Sequence, residues 1–404
     1  MSVRIDADIA IDGMGDAVKN ASVVYENELI TYFGESEHAP EAEKTQKVPA
    51  IMPGMWDCHI HLGGLKGFQE SSFVNPYVRA ARATGDLKRI LRSGFTSVRE
   101  LGGMGVYLNQ AVEEESIVGP RIYGSGSILT MTGGHGDMAA NSEMPLEVTP
   151  YIPGYVGEVV DGPIGGQVGV RKMLRKGAEV IKIACSGGGL SKTNPQHTQF
   201  TLEEIQAIVQ EAARAERVVA AHAHGAEGIR QAIMAGVKTI EHGSYLDEDL
   251  CDLMIEHDVI LVPTVTIPHE VLKILPQMPL HTQEKAEHLF TSWIPATKLA
   301  ITKGVKIAMG TDLYASGHQK LMEFGSNAKE LEFYVEYGMK PMDALVAATG
   351  HGPLTVGKQA EKTGILKEGY QADLLVLDSN PLEDISILSE KVHIMQVIKR
   401  GQLY

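Results

Sequence analysis

The sequence has few cysteines, no long hydrophobic run and no basic cluster, and each of these features excludes a class of protein. Its three cysteines, Cys58, Cys185 and Cys251, are too few for a disulfide framework and suit a reducing compartment. No apolar run reaches the roughly 20 residues that a membrane-spanning helix needs. The first residues, MSVRIDADIAIDGMGDA, are acidic and lack the apolar core of a signal peptide. We therefore expect a cytoplasmic protein with no membrane partner.

The charge balance is acidic. Lys and Arg number 36 and Asp and Glu number 51, which gives a net charge of −15 at pH 7. Nucleic acids attract basic surfaces, so no nucleic acid is expected as a partner. The 404 residues exceed one ordinary hydrophobic core, so we expect one large domain with an appendage, or two domains.

Both ends of the chain show short alternating patterns typical of strands. They are RIDADIAID and ASVVYENELITYFG near the amino terminus, and GILKEGYQADLLVLD and VHIMQVIKRGQLY near the carboxyl terminus. These patterns predict one small β-sandwich domain built from residues 1–51 and 353–404, attached to a larger domain of residues 52–352. The alternative is two unrelated terminal extensions.

The middle of the chain alternates between strand-like and helix-like patterns. Thr201 followed by Glu204 is a capping-box signal for the helix TLEEIQAIVQEAARAE. Counting the opening stretch of residues 51–64, eight strand-like runs occur, and most are followed by a helix. This order predicts an α/β fold, a (β/α)₈ TIM barrel, with an open doubly wound sheet as the alternative. The other strand-like runs are residues 94–101, 121–129, 179–188, 217–225, 238–244, 259–266 and 306–312.

Two connections are too long for a plain barrel. Residues 130–168 are rich in Gly and Pro, and residues 266–290 contain three prolines. Long loops in compact domains are usually functional or mobile. We therefore predict that both segments form walls or lids over a site.

The stretch IMPGMWDCHIHLGG places Asp57, His59 and His61 on alternate residues at the end of an apolar run. Residues two apart in a strand point to the same side, so these three side chains share one face. Two neutral imidazoles on that face can bind one metal ion. Taken alone, the motif is equally compatible with two partly exposed structural histidines.

Further metal-binding residue types stand at other strand ends. His222 ends the run VVAAH, His242 ends TIEH, and Asp312 ends IAMGTD. Because the carboxyl ends of barrel strands open into the active site, these side chains are expected to meet His59 and His61 there. The pattern favours a metal site over unrelated core histidines.

Lys182 interrupts the apolar strand EVIKIACSGG. An unpaired lysine is rarely buried, so three explanations are open. A desolvated lysine could form a Schiff base, it could add carbon dioxide to give a carbamate that bridges two cations, or it could pair with an interior acid. The histidines and Asp312 favour the carbamate.

These motifs together resemble the amidohydrolase superfamily, in its imidazolonepropionase-like and prolidase-like branch. The resemblance covers nearly the whole chain, through MPGMWDCHIHLGG, TGGHGD, VIKIACSGG, VAAHAHG, TIEHGSYLDED, GTD and GILKEGYQADLLVLDSNPLEDI. It implies a centre of two divalent metal ions, with zinc expected and manganese or cobalt as possible substitutes. In that metal centre His59, His61 and Asp312 hold one ion, His222 and His242 hold the other, and N6-carboxylysine at Lys182 bridges the two ions together with a hydroxide. The resemblance also implies a large homo-oligomer.

The same resemblance implies an amide hydrolase in which the bridging hydroxide is the nucleophile. Asp312 would accept its proton and pass it to the leaving nitrogen, and His135 of TGGHGD would donate a hydrogen bond to the oxyanion. The segments similar to dipeptidases, carboxypeptidases and ochratoxin-type amidases indicate a small-molecule or short-peptide substrate. Cleavage would release a C-terminal amino acid from an N-acyl amino acid, a dipeptide or an ochratoxin-like amide. The alternative is a deaminase or a cyclic amide or imidate hydrolase with the same metals.

Three further residues are candidates for binding the substrate carboxylate. His224 lies two residues after His222, where prolidase-like members can have tyrosine, so the resemblance does not carry proline specificity over to this chain. A fourth protein ligand would not fit a complete metal shell, and a substrate contact or a second-shell hydrogen bond is expected for His224 instead. The backbone N–H groups of Gly187 and Gly188 could bind the same carboxylate.

Overall fold

The computed structural model describes residues 1–66, 70, 74–137, 157–277, 280–317 and 322–404. The central part of the predicted wall 130–168 therefore lies outside the described residues. The described part of 266–290 is mostly helical, so the prediction of a loop there was wrong. Pro268 is compatible with this because it stands in the first turn of a helix, where an intrahelical N–H donor is not needed.

Strands β1 to β17 occur in chain order between the two termini. Their bounds are β1 Ser2–Ile11, β2 Ala17–Glu26, β3 Leu29–Glu35, β4 Lys44–Pro53, β5 Met55–Leu65, β6 Phe95–Glu100, β7 Arg121–Gly124, β8 Ile128–Thr130, β9 Gly157–Val159, β10 Ile181–Ala184, β11 Val219–Ala223, β12 Thr239–His242, β13 Ile260–Val262, β14 Leu313–Ala315, β15 Leu374–Leu377, β16 Ile394–Lys399 and β17 Gln402–Leu403.

The described α-helices lie mainly between the strands of the middle segment. The capping box of Thr201 and Glu204 is confirmed at the start of its helix. The helices are α1 Pro76–Arg92, α2 Gly105–Glu113, α3 Gly162–Arg175, α4 Leu202–Arg214, α5 Ala226–Ala235, α6 Glu248–Glu256, α7 Thr266–Leu272, α8 Leu280–Lys303, α9 Lys329–Glu336 and α10 Pro341–Ala347. None of these described helices is long and apolar enough to span a bilayer.

Strands from both ends of the chain form one seven-stranded sheet in the order β17-β16-β15-β4-β1-β2-β3. β4 joins the two parts, because it pairs in parallel with β1 and antiparallel with β15. Ile5 and Val23 from the first part and Leu374 and Val376 from the second are buried in the same apolar cluster. The sandwich form and the limits 1–51 and 353–404 stay predictions.

Two parallel sheets make up the middle of the chain, and they confirm the α/β class. One has the order β13-β12-β11-β10-β8-β9 and the other the order β14-β5-β6-β7. The predicted strand 121–129 is divided into β7 and β8, with Gly126 between them at φ +71°. The predicted strand 306–312 is not a regular strand in the structure and forms an isolated β-bridge from Ile307 to Leu261.

Backbone hydrogen bonds connect these two sheets to each other. On one side the N–H of Glu179 donates to the carbonyl of Gly124 at 2.9 Å. On the other side the N–H of Leu261 donates to Lys306 O at 2.9 Å, and the N–H of Cys58 donates to Met309 O at 2.8 Å. The carboxyl ends of β5, β10, β11 and β12 consequently face one region.

Candidate active site

The predicted metal-binding side chains lie together at the carboxyl ends of the parallel strands. Ligating atoms of His222, His224 and His242 lie within 4.8 Å of one another, as do those of His59, His242 and Asp312. His61 joins the second group, because its Nε2 lies 3.0 Å from Oδ1 of Asp312. The chain thus gathers five histidines and one carboxylate that the sequence separates by more than 200 residues.

Two of these residues have an unusual backbone conformation. His242 has φ +74° and Asp312 has φ +60°, in the left-handed region that costs a non-glycine residue roughly 1–3 kcal/mol. Asp57 helps to hold the second of them, because its carboxylate accepts hydrogen bonds from Thr311 N at 3.1 Å and Thr311 Oγ1 at 2.6 Å. Asp57 therefore supports the turn that presents Asp312.

His59 and His61 each use Nδ1 for a hydrogen bond within the protein. Nδ1 of His59 donates to Glu241 at 2.7 Å, and Nδ1 of His61 donates to the carbonyl of Gly102 at 2.9 Å. In the neutral imidazoles this leaves both Nε2 atoms as acceptors. These atoms face Oδ1 of Asp312 at 3.4 Å and 3.0 Å, so three acceptors converge where a cation would be favourable.

His222 and His242, on neighbouring strands, also each use one ring nitrogen for a hydrogen bond within the protein. Nε2 of His222 donates to the carbonyl of Gly187 at 3.2 Å, which leaves Nδ1 as the acceptor. Nδ1 of His242 forms a 2.8 Å hydrogen bond with Oγ1 of Thr264, which leaves Nε2. Partners of this kind fix the orientation of metal-binding imidazoles in proteins.

A buried ion pair behind His59 was not foreseen from the sequence. Arg99 on β6 donates to both carboxylate oxygens of Glu241, at 2.7 Å and 2.9 Å, and both side chains are fully buried. Although burial opposes it, the charges of Arg99 and Lys182 hold the pKa of Glu241 far below its usual range. The sequence signal that could have indicated this pair was a charged residue, Arg99 or Glu241, inside each of the two apolar strand-like runs TSVRE and TIEH.

Lys182 on β10 is almost completely buried, and its Nζ has no hydrogen-bond partner among the described residues. Burial, assisted by the charge of Arg99, lowers the pKa of Lys182 to about 8. A lysine with a lowered pKa has a larger neutral fraction, and the neutral amine is the form that adds carbon dioxide. The unpartnered Nζ therefore fits the predicted carbamate. The carbamate would carry negatively charged oxygens, and these could bind a cation in the buried site.

Three imidazoles of the cluster, those of His59, His222 and His242, are held in the neutral form that metals bind. Burial, followed by the charge of Lys182, lowers the pKa of His59 to about 4. Burial also lowers the pKa of His222 and His242 well below the ordinary value. His61 is the exception, because the hydrogen bond and charge of Asp312 raise its pKa despite burial. Neutral histidines and one carboxylate form a donor set that suits zinc.

His135 reaches the same region from the TGGHGD segment. Its ring stacks on that of His222 with centroids 4.1 Å apart, and its Nδ1 lies 3.1 Å from Oγ of Ser191. Burial lowers the pKa of His135 to about 4, so the ring is neutral and carries one N–H. A Cβ atom on Gly188 would lie 2.3 Å from this ring, so the glycine is required for the close approach.

The amides of Gly187 and Gly188 are used inside their own loop. The N–H of Gly187 donates to His197 O at 3.2 Å, and that of Gly188 donates to Oγ1 of Thr193 at 3.1 Å. Binding a substrate carboxylate through these amides would require both bonds to break. The carbonyl of Gly187 has a different role, because it orients His222.

His224 lies among the metal-binding histidines. Its ring centroid is 4.9 Å from that of His242, and its Nδ1 forms a 2.7 Å hydrogen bond with Oγ of Ser244. Burial lowers the pKa of His224 to about 3, so this imidazole is also neutral. Its position fits a metal ligand as well as a substrate contact, and the sequence argument against a ligand role remains a prediction.

Enzymes with parallel α/β architecture place their active sites at the carboxyl ends of the strands, and the histidines and carboxylate found there form a donor set that could hold a metal ion. Residues 50–404 match the Amidohydrolase family, and the chain belongs to that family. It is a hydrolytic enzyme that acts on C–N bonds.

Similar proteins of known sequence or structure cover almost the entire chain. Ochratoxinase from Aspergillus niger is 38% identical over 420 residues, which span 99% of this chain and 86% of that protein. Its crystal structure gives a TM-score of 0.92 and covers 100% of this chain and 95% of the other. A Xaa-Pro dipeptidase with methionine bound in the active site is 33% identical, with a TM-score of 0.89 and 100% coverage of both chains. A prolidase in complex with N-methylphosphonate-L-proline is 32% identical, with a TM-score of 0.90, and covers 100% of this chain and 99% of the other.

Proposed function

We propose that the protein hydrolyses the amide or peptide bond between an acyl group and a C-terminal amino acid. N-acyl amino acids, dipeptides and ochratoxin-like aryl amides are the substrate classes. The observation that carries this proposal is the convergence of neutral histidines, Asp312 and the unpartnered Lys182 Nζ at one end of the parallel sheets. The similarity to ochratoxinase and to the Xaa-Pro dipeptidase supports the choice of bond.

Two divalent metal ions, most favourably zinc, are part of the proposal. His59, His61 and Asp312 would hold one ion, His222 and His242 would hold the other, and carboxylated Lys182 would contribute to both. Such ions, when bound, supply activation of water and polarisation of the amide carbonyl. The donor types are compatible with zinc, because imidazole and carboxylate are its usual nitrogen and oxygen ligands.

Asp312 and His135 act on the substrate in this proposal. Asp312 accepts a proton from the attacking water and transfers it to the leaving nitrogen, and its lowered pKa keeps it ionised for the first step. The N–H of neutral His135 donates a hydrogen bond to the oxygen on which negative charge develops. Glu241 and Thr264 hold the imidazoles of His59 and His242 in fixed orientations.

The architecture completes the proposal. We take the two parallel sheets, which backbone hydrogen bonds connect, to form a (β/α)₈ TIM barrel, and the seven-stranded terminal sheet to belong to a small β-sandwich domain. A cytoplasmic homo-oligomer is proposed from the family resemblance. Size-exclusion chromatography with light scattering tests the assembly, and a monomer would contradict it.

The test is metal analysis of the purified protein, followed by a screen of N-acyl amino acids, dipeptides and ochratoxin A with and without a chelator. We expect two equivalents of divalent metal, release of a free amino acid, and loss of activity on chelation that zinc restores. Release of ammonia instead would favour the deaminase alternative. Full activity in a metal-free preparation, or trapping of a substrate on Lys182 by borohydride, would contradict the proposal.

A further inference from the structure

A small pocket lies beside the proposed metal centre. Its volume is about 270 Å³, just below the roughly 300–1,000 Å³ of pockets for drug-sized ligands. The segment 192–196 forms one side, Tyr245 follows β12, and Lys285 and His288 lie on α8. The pocket is therefore large enough for one amino acid.

Tyr245 of the pocket, and Ser191 directly before its segment 192–196, form hydrogen bonds with residues of the proposed active site. The N–H of Tyr245 donates to the carbonyl of His224 at 3.1 Å. Ser191, just before the pocket segment, places its Oγ 3.1 Å from Nδ1 of His135. Pocket and metal centre are thus neighbours in one site.

Lys285 is a half-buried ammonium without a counter-ion among the described residues. Its Nζ donates to the carbonyl oxygens of Ser191 and Thr193, and no described carboxylate lies within 4.0 Å of it. None of the described residues that line the pocket is acidic. Burial lowers the pKa of Lys285, so an anion at this position would restore an interaction that the desolvated ammonium lacks.

The remaining pocket walls are suited to a large side chain. The rings of Tyr245 and His288 have centroids 6.1 Å apart, and Pro195 adds an apolar surface. Oη of Tyr245 is buried and has no hydrogen-bond partner among the described residues. An aromatic or bulky aliphatic side chain can contact such rings.

We propose that this pocket binds the C-terminal amino acid of the substrate, with Lys285 paired to its carboxylate and the Tyr245 and His288 rings beside its side chain. This inference rests on the proposed function, because it names the residues that would select the amine side of the scissile amide. It differs from the expectation for Gly187 and Gly188, whose amides are already hydrogen-bonded within their loop. Lys285 is a specificity residue here and takes no part in proton transfer.

The experiment compares Lys285→Met with Lys285→Arg and with Lys298→Met. Lys298 is an exposed lysine of the same helix, 13 residues further along and so about 20 Å away, and is the matched control for loss of charge. Calorimetry measures binding of L-phenylalanine and L-phenylalaninamide to the metal-loaded protein. Kinetics then compares N-acetyl-L-phenylalanine with N-acetyl-L-phenylalaninamide.

We expect Lys285→Met to weaken L-phenylalanine binding and to raise KM for the free carboxylate substrate roughly 10- to 100-fold, the range of one charge-assisted hydrogen bond. The amides should be unaffected, kcat should change little, and Lys285→Arg should retain most of the affinity. Equal losses for acid and amide would show that Lys285 only anchors the loop at Ser191. Absence of L-phenylalanine binding to the wild type would also overturn the inference. If carboxylate-dependent binding occurs but no amide is hydrolysed, the pocket stands and the proposed reaction fails.

Discussion

Nδ1 of His59 lies 2.7 Å from the carboxylate of Glu241, and the same carboxylate is held by Arg99 at 2.7 Å and 2.9 Å. His59 therefore has a fixed tautomer and a fixed ring orientation before any cation binds. The pair Arg99 and Glu241 is fully buried, so its geometry is not loosened by solvent. Glu241 is a positioning residue that acts through His59.

Replacing this carboxylate should weaken metal binding. We expect Glu241→Gln and Glu241→Asp each to lower zinc affinity roughly 10- to 100-fold in competition with a chelator, because His59 loses its oriented acceptor. Glu241→Gln should also destabilise the fold by about 3–5 kcal/mol, since it leaves Arg99 charged and unpaired. Glu241→Asp keeps the charge, so its stability loss should be smaller. Zinc affinity equal to that of the control Glu203→Gln, at an exposed glutamate, would contradict the role.

The sequence predicted the ligand residues better than their partners. Alternation within β5 and the position of residues at strand ends are local properties, so His59, His61 and His242 could be placed from the pattern alone. The contact between Arg99 and Glu241 joins two strands 142 residues apart, and no local pattern selects that partner.

In the Gly-rich segment, too, the sequence did not predict which partners the residues would have. The sequence made the amides of Gly187 and Gly188 candidates for binding a carboxylate, and the structure places Gly188 close to the ring of His135. The direction of the amides depends on how the loop folds against Thr193 and His197, which sequence does not show. Likewise, the packing of α8 along the loop, through Leu289 beside Gly189, created a pocket that no motif indicated.

Asp312→Asn tests the proposed base. Asparagine keeps the shape and one oxygen but accepts no proton, so we expect kcat to fall by about 10²–10⁴. Because Asp312 is also a proposed ligand, metal content is measured on the same preparation. Circular dichroism should match the wild type, since the backbone bond from Asp312 N to His59 O, 2.6 Å, does not involve the side chain. Full turnover in this variant would exclude Asp312 as the base.

Lys182→Ala tests the carbamate. The substitution removes the amine to which carbon dioxide would add, so we expect loss of bound metal and of activity. Because alanine leaves the buried volume of the lysine side chain empty, a short carboxylate such as acetate or propionate should partly restore both. Lys182→Met fills the space with apolar atoms and should not be rescued. Wild-type metal content in Lys182→Ala without added carboxylate would contradict the bridging role.

Glu179 should make the fold less stable as the pH rises. Its backbone N–H donates a hydrogen bond to the carbonyl of Gly124 at the end of β7, and burial raises the pKa of its carboxyl to about 7. Below about pH 4.5 both folded and unfolded chains hold the proton, so no penalty exists. Between pH 4.5 and 7 the unfolded chain loses the proton first, which favours unfolding.

Glu179→Gln removes this titration. The variant should match the wild type near pH 4.5 and gain roughly 1–3 kcal/mol of unfolding free energy by pH 8. Denaturant unfolding at both pH values measures the difference. Glu203→Gln serves as the exposed control and should show no pH-dependent gain. A gain that is the same at both pH values would mean that the carboxyl does not titrate as its burial implies.

His135→Ala tests stabilisation of the oxyanion separately from metal binding. The ring stacks on His222 with centroids 4.1 Å apart, yet it is not one of the proposed ligands. We therefore expect both metal ions to remain, KM to change little and kcat to fall roughly 10²- to 10³-fold, as for loss of one oxyanion donor. Ser191→Ala removes only the hydroxyl beside Nδ1 and should have a smaller effect. If His135→Ala instead loses a metal ion while Ser191→Ala does not, the ring supports His222 and is not the donor to the reacting oxygen.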